Sequence, residues 1–203
     1  MPEDRWQLLR LLAETSFHRS VEPRYKLASG MLSKYYIDCK IALSYPIVRQ
    51  LVGDLVDERI AALRLDAVGG MALGAYPLAL AVSDAAYRRR GATLRAFVVR
   101  KDAKGHGMKK LLEGDARQGD TALIVEDVVT TGGSTIEAIA RCRESGLQVA
   151  TVIALVDRQE AAGRENLEAQ GVPFQALFTL QDLIEQSERL AEPQAGRPQS
   201  AAG

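Results

Sequence analysis

Two histidines, two cysteines and one tryptophan are all that 203 residues supply of those types. With only His18 and His106 available, a multi-histidine metal centre is excluded. Cys39 and Cys142 stand in no metal-binding spacing and read as reduced, buried small hydrophobes of a cytoplasmic protein. An excess of one charge is also missing. The 26 Lys and Arg balance 26 Asp and Glu, which removes any global basic bias toward nucleic acid. No apolar run reaches the roughly 18 residues of a membrane span. The opening Met-Pro-Glu-Asp-Arg-Trp does not read as a signal peptide. Internal repeats and mid-chain linkers are lacking as well. The 47% hydrophobic content is that of a soluble globular chain, long enough to bury a core.

What is present is an alternation. Helical spacing of Trp6, Leu9, Leu12 and Ala13 predicts a helix over 3–17. Residues 26–44 are short and mixed. Tyr45-Pro46 opens a second helix to about Leu63, with Pro at a tolerated first-turn position. Strands are then expected at 66–68 (ending in Gly69-Gly70), 94–99, 123–127, 149–156 and 174–180. Helices are expected at 76–89, 134–145, 160–170 and 181–190. Apolar strands alternating with helices predict an α/β fold with a parallel sheet covered on both faces. Ligands of such sheets sit beyond the C-terminal strand edges, where Gly69, Arg100, Asp127 and Asp157 fall. Residues 1–191 read as a single domain whose first 45 or so residues form a helix and an irregular segment. Residues 192–203 lack a large apolar anchor and are expected to be disordered.

Residues 121–135 carry the most chemistry: Thr-Ala-Leu-Ile-Val-Glu-Asp-Val-Val-Thr-Thr-Gly-Gly-Ser-Thr. An apolar strand ends in adjacent carboxylates, Glu126 and Asp127. A hydroxyl- and glycine-rich turn follows, Thr130, Thr131, Gly132, Gly133 and Ser134, and then a helix. The carboxylates can accept hydrogen bonds from ribose hydroxyls. The turn offers backbone N–H groups, hydroxyls and a helix N-terminus to a phosphate. A P-loop is excluded, because no Lys follows the second Gly, and the dinucleotide fingerprint is absent. The plainer alternative is a buried strand with an ordinary turn and Ser134 as helix cap. Against it, two neighbouring carboxylates repel at low effective dielectric unless a ligand or metal repays the cost.

This segment resembles the phosphoribosyl pyrophosphate (PRPP) motif of type I phosphoribosyltransferases. The resemblance implies that Glu126 and Asp127 hold the ribose hydroxyls. It further implies that Val128 and Val129 belong to the PRPP-binding stretch and that the turn Thr130, Thr131, Gly132, Gly133 and Ser134 holds the 5′-phosphate.

A second cluster, residues 100–110, follows a strand and reads Arg-Lys-Asp-Ala-Lys-Gly-His-Gly-Met-Lys-Lys, five cations with one His and two Gly. Alone it would read as a solvated basic loop. Expulsion of pyrophosphate, however, needs positive charge where the leaving group develops its own, and a loop can bring it while excluding water. The stretch resembles the mobile catalytic loop of orotate phosphoribosyltransferases, Arg-Lys-x-x-Lys-x-His-Gly. Residues 27–38 resemble that family's N-terminal signature, with Ser29-Gly30 through Ser33 and then Tyr35-Tyr36-Ile37-Asp38. Asp157-Arg158-Gln159-Glu160 resembles its Asp-Arg-x-Glu element. The resemblance runs from about Leu27 to Leu183 and implies a type I phosphoribosyltransferase fold with a small N-terminal hood.

Carried over by position, Arg100, Lys101, Lys104 and His106 would bind PRPP, with Lys101, Lys104, His106 and Asp127 catalytic. Arg158 would meet the orotate carboxylate, with Thr130, Tyr36, Ile37 and Ser29 near the base. The resemblance also implies Mg²⁺ carried by PRPP, and a homodimer whose loop closes over the partner's site. Two departures stand out. Ala28 and Leu73 occupy positions where some relatives have Lys. The alternatives are a type I phosphoribosyltransferase for another base, and a non-catalytic PRPP sensor. Arg158 with the Tyr35-Tyr36 segment argues against the first, and the retained Lys101, Lys104 and His106 argue against the second.

Overall fold

The protein's structure, a computed structural model, is described for residues 3–27, 29–101 and 111–192. The N-terminal part comprises α1 (Glu3–Thr15), β1 (Phe17–Arg19), β2 (Tyr25–Lys26), β3 (Leu32–Ser33), β4 (Tyr35–Ile37), α2 (Cys39–Leu43) and α3 (Pro46–Ile60). The alternating part follows with β5 (Ala67–Met71), α4 (Ala75–Arg90), β6 (Arg95–Val99), β7 (Leu112–Gly114), β8 (Thr121–Val129) and α5 (Gly133–Glu144). It closes with β9 (Gln148–Asp157), α6 (Gly163–Glu168), β10 (Phe174–Thr179) and α7 (Leu180–Ala191).

Among the described residues the main sheet has six strands in the order β10-β9-β8-β5-β6-β7. The expected parallel pairing holds for five of them, but β7 runs antiparallel to β6, so the sheet is mixed. Three residues are too few to show an alternation, which is why sequence reading passes over β7. Its close approach to β6 is specific to glycine, since a Cβ on Gly114 would meet Ala96 O at 2.5 Å.

Local chemistry sets the helix limits. Pro46 opens α3, Gly91 closes α4 in the left-handed conformation, and a Thr179–Asp182 capping box opens α7. Two expected helices are shorter than their apolar spacing suggests. The first ends at Thr15, because Phe17 to Arg19 pair with β4 instead. The sixth begins only at Gly163, because Gln159, Ala161 and Ala162 have φ of 54, 53 and 54°, and a left-handed backbone cannot enter a right-handed helix.

The period-2 alternation of β8 sends Leu123 and Val125 into the core under α1, α3, α4 and α7. Ala122 and Ile124 go into the core under α5 and α6. The order of strands reverses between β5 and β8. There β8 is paired to β5 only as far as Gly69↔Ile124, while its other edge stays paired to β9 as far as Val129↔Asp157. The C-terminal half of β8 thus stands clear of β5, and a crevice opens at the switch point. Among the described residues no helix is long and apolar enough to cross a membrane. Of the tail expected at 192–203, Glu192 caps α7, and 193–203 lie outside the described residues.

Candidate active site

The carboxylates do not end their strand. Residues 126 and 127 lie inside β8, which continues to Val129. One pleat apart, they point to opposite faces. Glu126 is buried toward α5, where Ser134 Oγ and Thr135 Oγ1 each donate to its Oε2 at 2.8 Å. Asp127 is half-buried and turns toward the start of α4. A Cβ on Gly74 would come within 2.6 Å of its Cγ. Glycine at the α4 N-cap is therefore what lets this carboxylate occupy the crevice. Behind it, Cys39 Sγ lies 3.9 Å from Asp127 O, so the hood packs directly on the strand that carries the acid.

The turn after β8 leads straight into the N-terminus of α5. Gly132 is left-handed (φ 77°) and caps α5 without a side-chain bond. Ser134 is not the cap, since its hydroxyl is committed to Glu126. Asn166 Nδ2 holds Thr131 O at 3.0 Å, and Gly133 N donates to Thr131 Oγ1 at 3.3 Å. Gly133 and Ser134 are exposed at the start of the 12-residue α5, while Thr130 and Thr131 are half-buried. Val128 and Val129 remain strand residues paired to β9, Val128 half-buried and Val129 buried. Across the crevice β5 ends in Met71, and the Ala72–Leu73 peptide is cis. The position expected as a strand end, Gly69, is interior to β5 and lies against the Phe97 ring.

Beside this turn a cleft of about 700 Å³ is lined by Ala72, Leu73, Tyr76, Val98, Arg100 and Lys101. Arg100 pairs with Glu113 at 2.9 Å. Arg141 reaches from α5 to fasten the backbone here, donating to Arg100 O and, at 2.7 Å, to Lys101 O. Lys104 and His106 lie outside the described residues.

Arg158 joins sheet and hood. Its side chain is almost wholly buried. It donates to Glu160 from Nε (2.8 Å) and Nη2 (3.3 Å), to Ser33 Oγ (3.1 Å) and to Tyr35 O (3.4–3.5 Å). Glu160 occupies the Nε–Nη2 edge of the fork. The Nη1–Nη2 end faces Tyr35 O and Ser33 Oγ on the hood segment. Ser29 is half-buried nearby in sequence, and its Oγ accepts weakly from Met31 N at 3.4 Å. Tyr36 stacks between His18 and Tyr25, whereas Ile37 is a core residue opposite Phe17. The side chains of Tyr36 and Ile37 are thus engaged within the hood.

Three contributors carry no role in the sequence reading: Gly74, Ser33 and Thr135. Each matters through a contact with a residue distant along the chain or on another element. Only the doublet of hydroxyls Ser134-Thr135, placed eight and nine residues after an acid, offered any signal.

Burial and the neighbouring Asp127 charge push the Glu126 carboxyl from an ordinary 4.5 up to about 7, against the pull of the Ser134 and Thr135 hydroxyls. An acid with a raised folded-state pKa binds more protons folded than unfolded between the two values. Stability therefore falls as pH climbs from 4.5 to about 7, and the penalty is complete above that. We expect the parent's melting temperature to decline across this window relative to Glu126→Gln, which has no proton to lose. Parallel melting profiles for the two proteins would show that Glu126 titrates as an ordinary carboxyl.

No family model matches the chain. Among curated proteins it is 42% identical to the orotate phosphoribosyltransferase of Aquifex aeolicus, covering 89% of this chain and 98% of that one. It is 45% identical to that of Sorangium cellulosum, covering 89% and 93%. Among solved structures it superposes on the Mycobacterium tuberculosis orotate phosphoribosyltransferase in complex with PRPP, at 32% identity and a TM-score of 0.73. That match covers 90% of this chain and 93% of the other.

Proposed function

Because the chain belongs to the orotate phosphoribosyltransferases and has their type I fold, it transfers 5-phosphoribosyl from PRPP to orotate, and we propose that it does so in the β5–β8 crevice. The products are orotidine 5′-monophosphate and pyrophosphate, a step of pyrimidine biosynthesis. The observation that carries the placement is convergence. Asp127, the Thr130–Ser134 turn, the β5 turn and the Arg158–hood junction all meet at one strand edge.

In this reading the 5′-phosphate takes the N–H groups of the turn and the α5 dipole. Asp127 accepts the ribose hydroxyls, with Glu126 at its back. The C1–O bond to pyrophosphate breaks with its electron pair leaving on pyrophosphate. A C1–N bond to the orotate ring forms, and the ring nitrogen's proton is released. Carboxylate charge beside the ribose favours the positive character at C1. Arg100, Lys101 and, from outside the described residues, Lys104 and His106 neutralise the departing pyrophosphate. Arg158 clamps the orotate carboxylate end-on, with Thr130 and the hood backbone beside the base.

Mg²⁺ accompanies PRPP. A hard cation bound to phosphate oxygens would need few protein ligands. We place the enzyme in the cytoplasm, where its two buried cysteines stay reduced.

The outer face of α4 supports a homodimer. Tyr76, Leu80 and Tyr87 stand exposed at helical spacing, next to a hollow of about 540 Å³ shared with Pro46 and Arg49. With Leu73 exposed at the edge of the same face, the partner comes close to the Ala72–Leu73 turn after β5. Leu80→Arg is expected to shift the protein to monomer in light scattering and to lower turnover in parallel. A dimer unaffected by this change would move the interface elsewhere.

The function itself is tested by offering PRPP and Mg²⁺ with orotate, uracil, hypoxanthine or adenine. Orotate alone is expected to be consumed at a substantial rate. Faster use of a purine would identify another base specificity.

A further inference from the structure

The two hydroxyls that hold Glu126 are not equivalent. Ser134 is exposed within the turn assigned to the 5′-phosphate, whereas Thr135 is buried, with 1% of its surface accessible. Both donate to the same oxygen, Oε2, at 2.8 Å, and Oε1 has only the Asp127 N–H at 3.3 Å. A hydroxyl carries one proton. If Ser134 gives its proton to a phosphate oxygen, it no longer donates to Glu126. Thr135, sealed under the first turn of α5, faces no such competition. A carboxylate buried this deeply costs stability unless a donor stays with it.

We infer that Thr135 is a positioning residue for the donor substrate: its hydroxyl alone pins the Glu126 carboxylate to α5 while phosphate occupies the turn. The inference rests on the phosphoribosyl reading of the site. It gives the first turn of α5 two tasks, one per hydroxyl. Ser134 meets the phosphate, and Thr135 fixes Glu126 at the back of Asp127 regardless of it. Phosphate seating is thereby linked to ribose orientation through Glu126, whose Oε1 accepts from the N–H of Asp127, the acid that meets the ribose.

Thr135→Val removes the O–H at nearly constant volume, and Thr135→Ala removes it without a branched replacement. Both are expected to weaken PRPP binding about tenfold in calorimetry with Mg²⁺, and to lower kcat/KM for PRPP by a similar factor. KM for orotate and the affinity for inorganic phosphate should stay at parental values, and Thr135→Ser should restore PRPP binding. In a Glu126→Ala background, Thr135→Val should add nothing. Parental PRPP affinity in both variants would overturn the inference, as would an undiminished effect without Glu126 or a failure of Ser to restore. If Glu126→Ala and Asp127→Ala also bound PRPP normally, the phosphoribosyl reading itself would fall. If those two lose PRPP while Thr135→Val does not, only the role of Thr135 falls.

Discussion

Replacing Asp127 by Ala is expected to lower kcat/KM for PRPP by about 10²–10³-fold, the usual cost of removing one preorganised charge from a reacting centre. The expectation follows from where the pleat puts the two acids. Glu126 is turned into the protein, so Asp127 is the carboxylate that meets the crevice. It sits there because Gly74 leaves room and because β8 has already parted from β5. Its loss should leave the fold intact, since it is half-buried and its side chain accepts from its neighbour's backbone, Val128 N, at 3.0 Å. Asp127→Asn keeps an acceptor for the ribose hydroxyls but not the charge opposite the developing oxocarbenium. Its deficit should therefore appear mainly in kcat. Steady-state rates with PRPP varied at saturating orotate check both variants, and a parental kcat/KM in Asp127→Ala would remove the acid from the reaction.

Arg158→Lys should raise the KM for orotate and lower kcat/KM for it by about 10²–10³-fold, the range for truncating one partner of a buried charge pair. Lysine keeps the charge, but it cannot hold Glu160 on one edge and a second carboxylate end-on. Binding of PRPP should change far less, because the guanidinium contacts β4, Ser33 and Glu160 and none of the phosphate turn. A modest fall in melting temperature is expected as well, since Glu160 loses its fork and Ser33 its donor. The discriminating readout is the ratio of the two substrate effects. Equal losses for orotate and PRPP would mean that Arg158 serves only to hold the hood on the sheet.

The chemistry was legible in the sequence where it is local. An apolar strand, two acids, a hydroxyl-glycine turn and a helix follow one another within 15 residues, and the structure keeps that order. Their geometry was less so. Nothing in the string shows that β8 runs on to Val129, because Val128-Val129 suits a strand or a turn flank equally until β9 pairs with it. Nor could the string show that the acids diverge, which depends on strand pairing and not on residue type. Thr135 reads as an ordinary first-turn residue until its hydroxyl is found on Glu126. Ser33 was noticed as part of a motif, while its bond to Arg158, 125 residues away, required the fold. The antiparallel β7 was missed for want of length, and the left-handed residues after Arg158 because Gln and Ala rarely adopt that conformation.

The position of bound PRPP is decisive. A crystal of the enzyme soaked with PRPP and Mg²⁺ should show the 5′-phosphate within the Thr130–Ser134 turn, the ribose hydroxyls on Asp127, and pyrophosphate toward Leu73 and Arg100. Density for the donor away from the β5–β8 crevice, with Asp127 untouched, would contradict it.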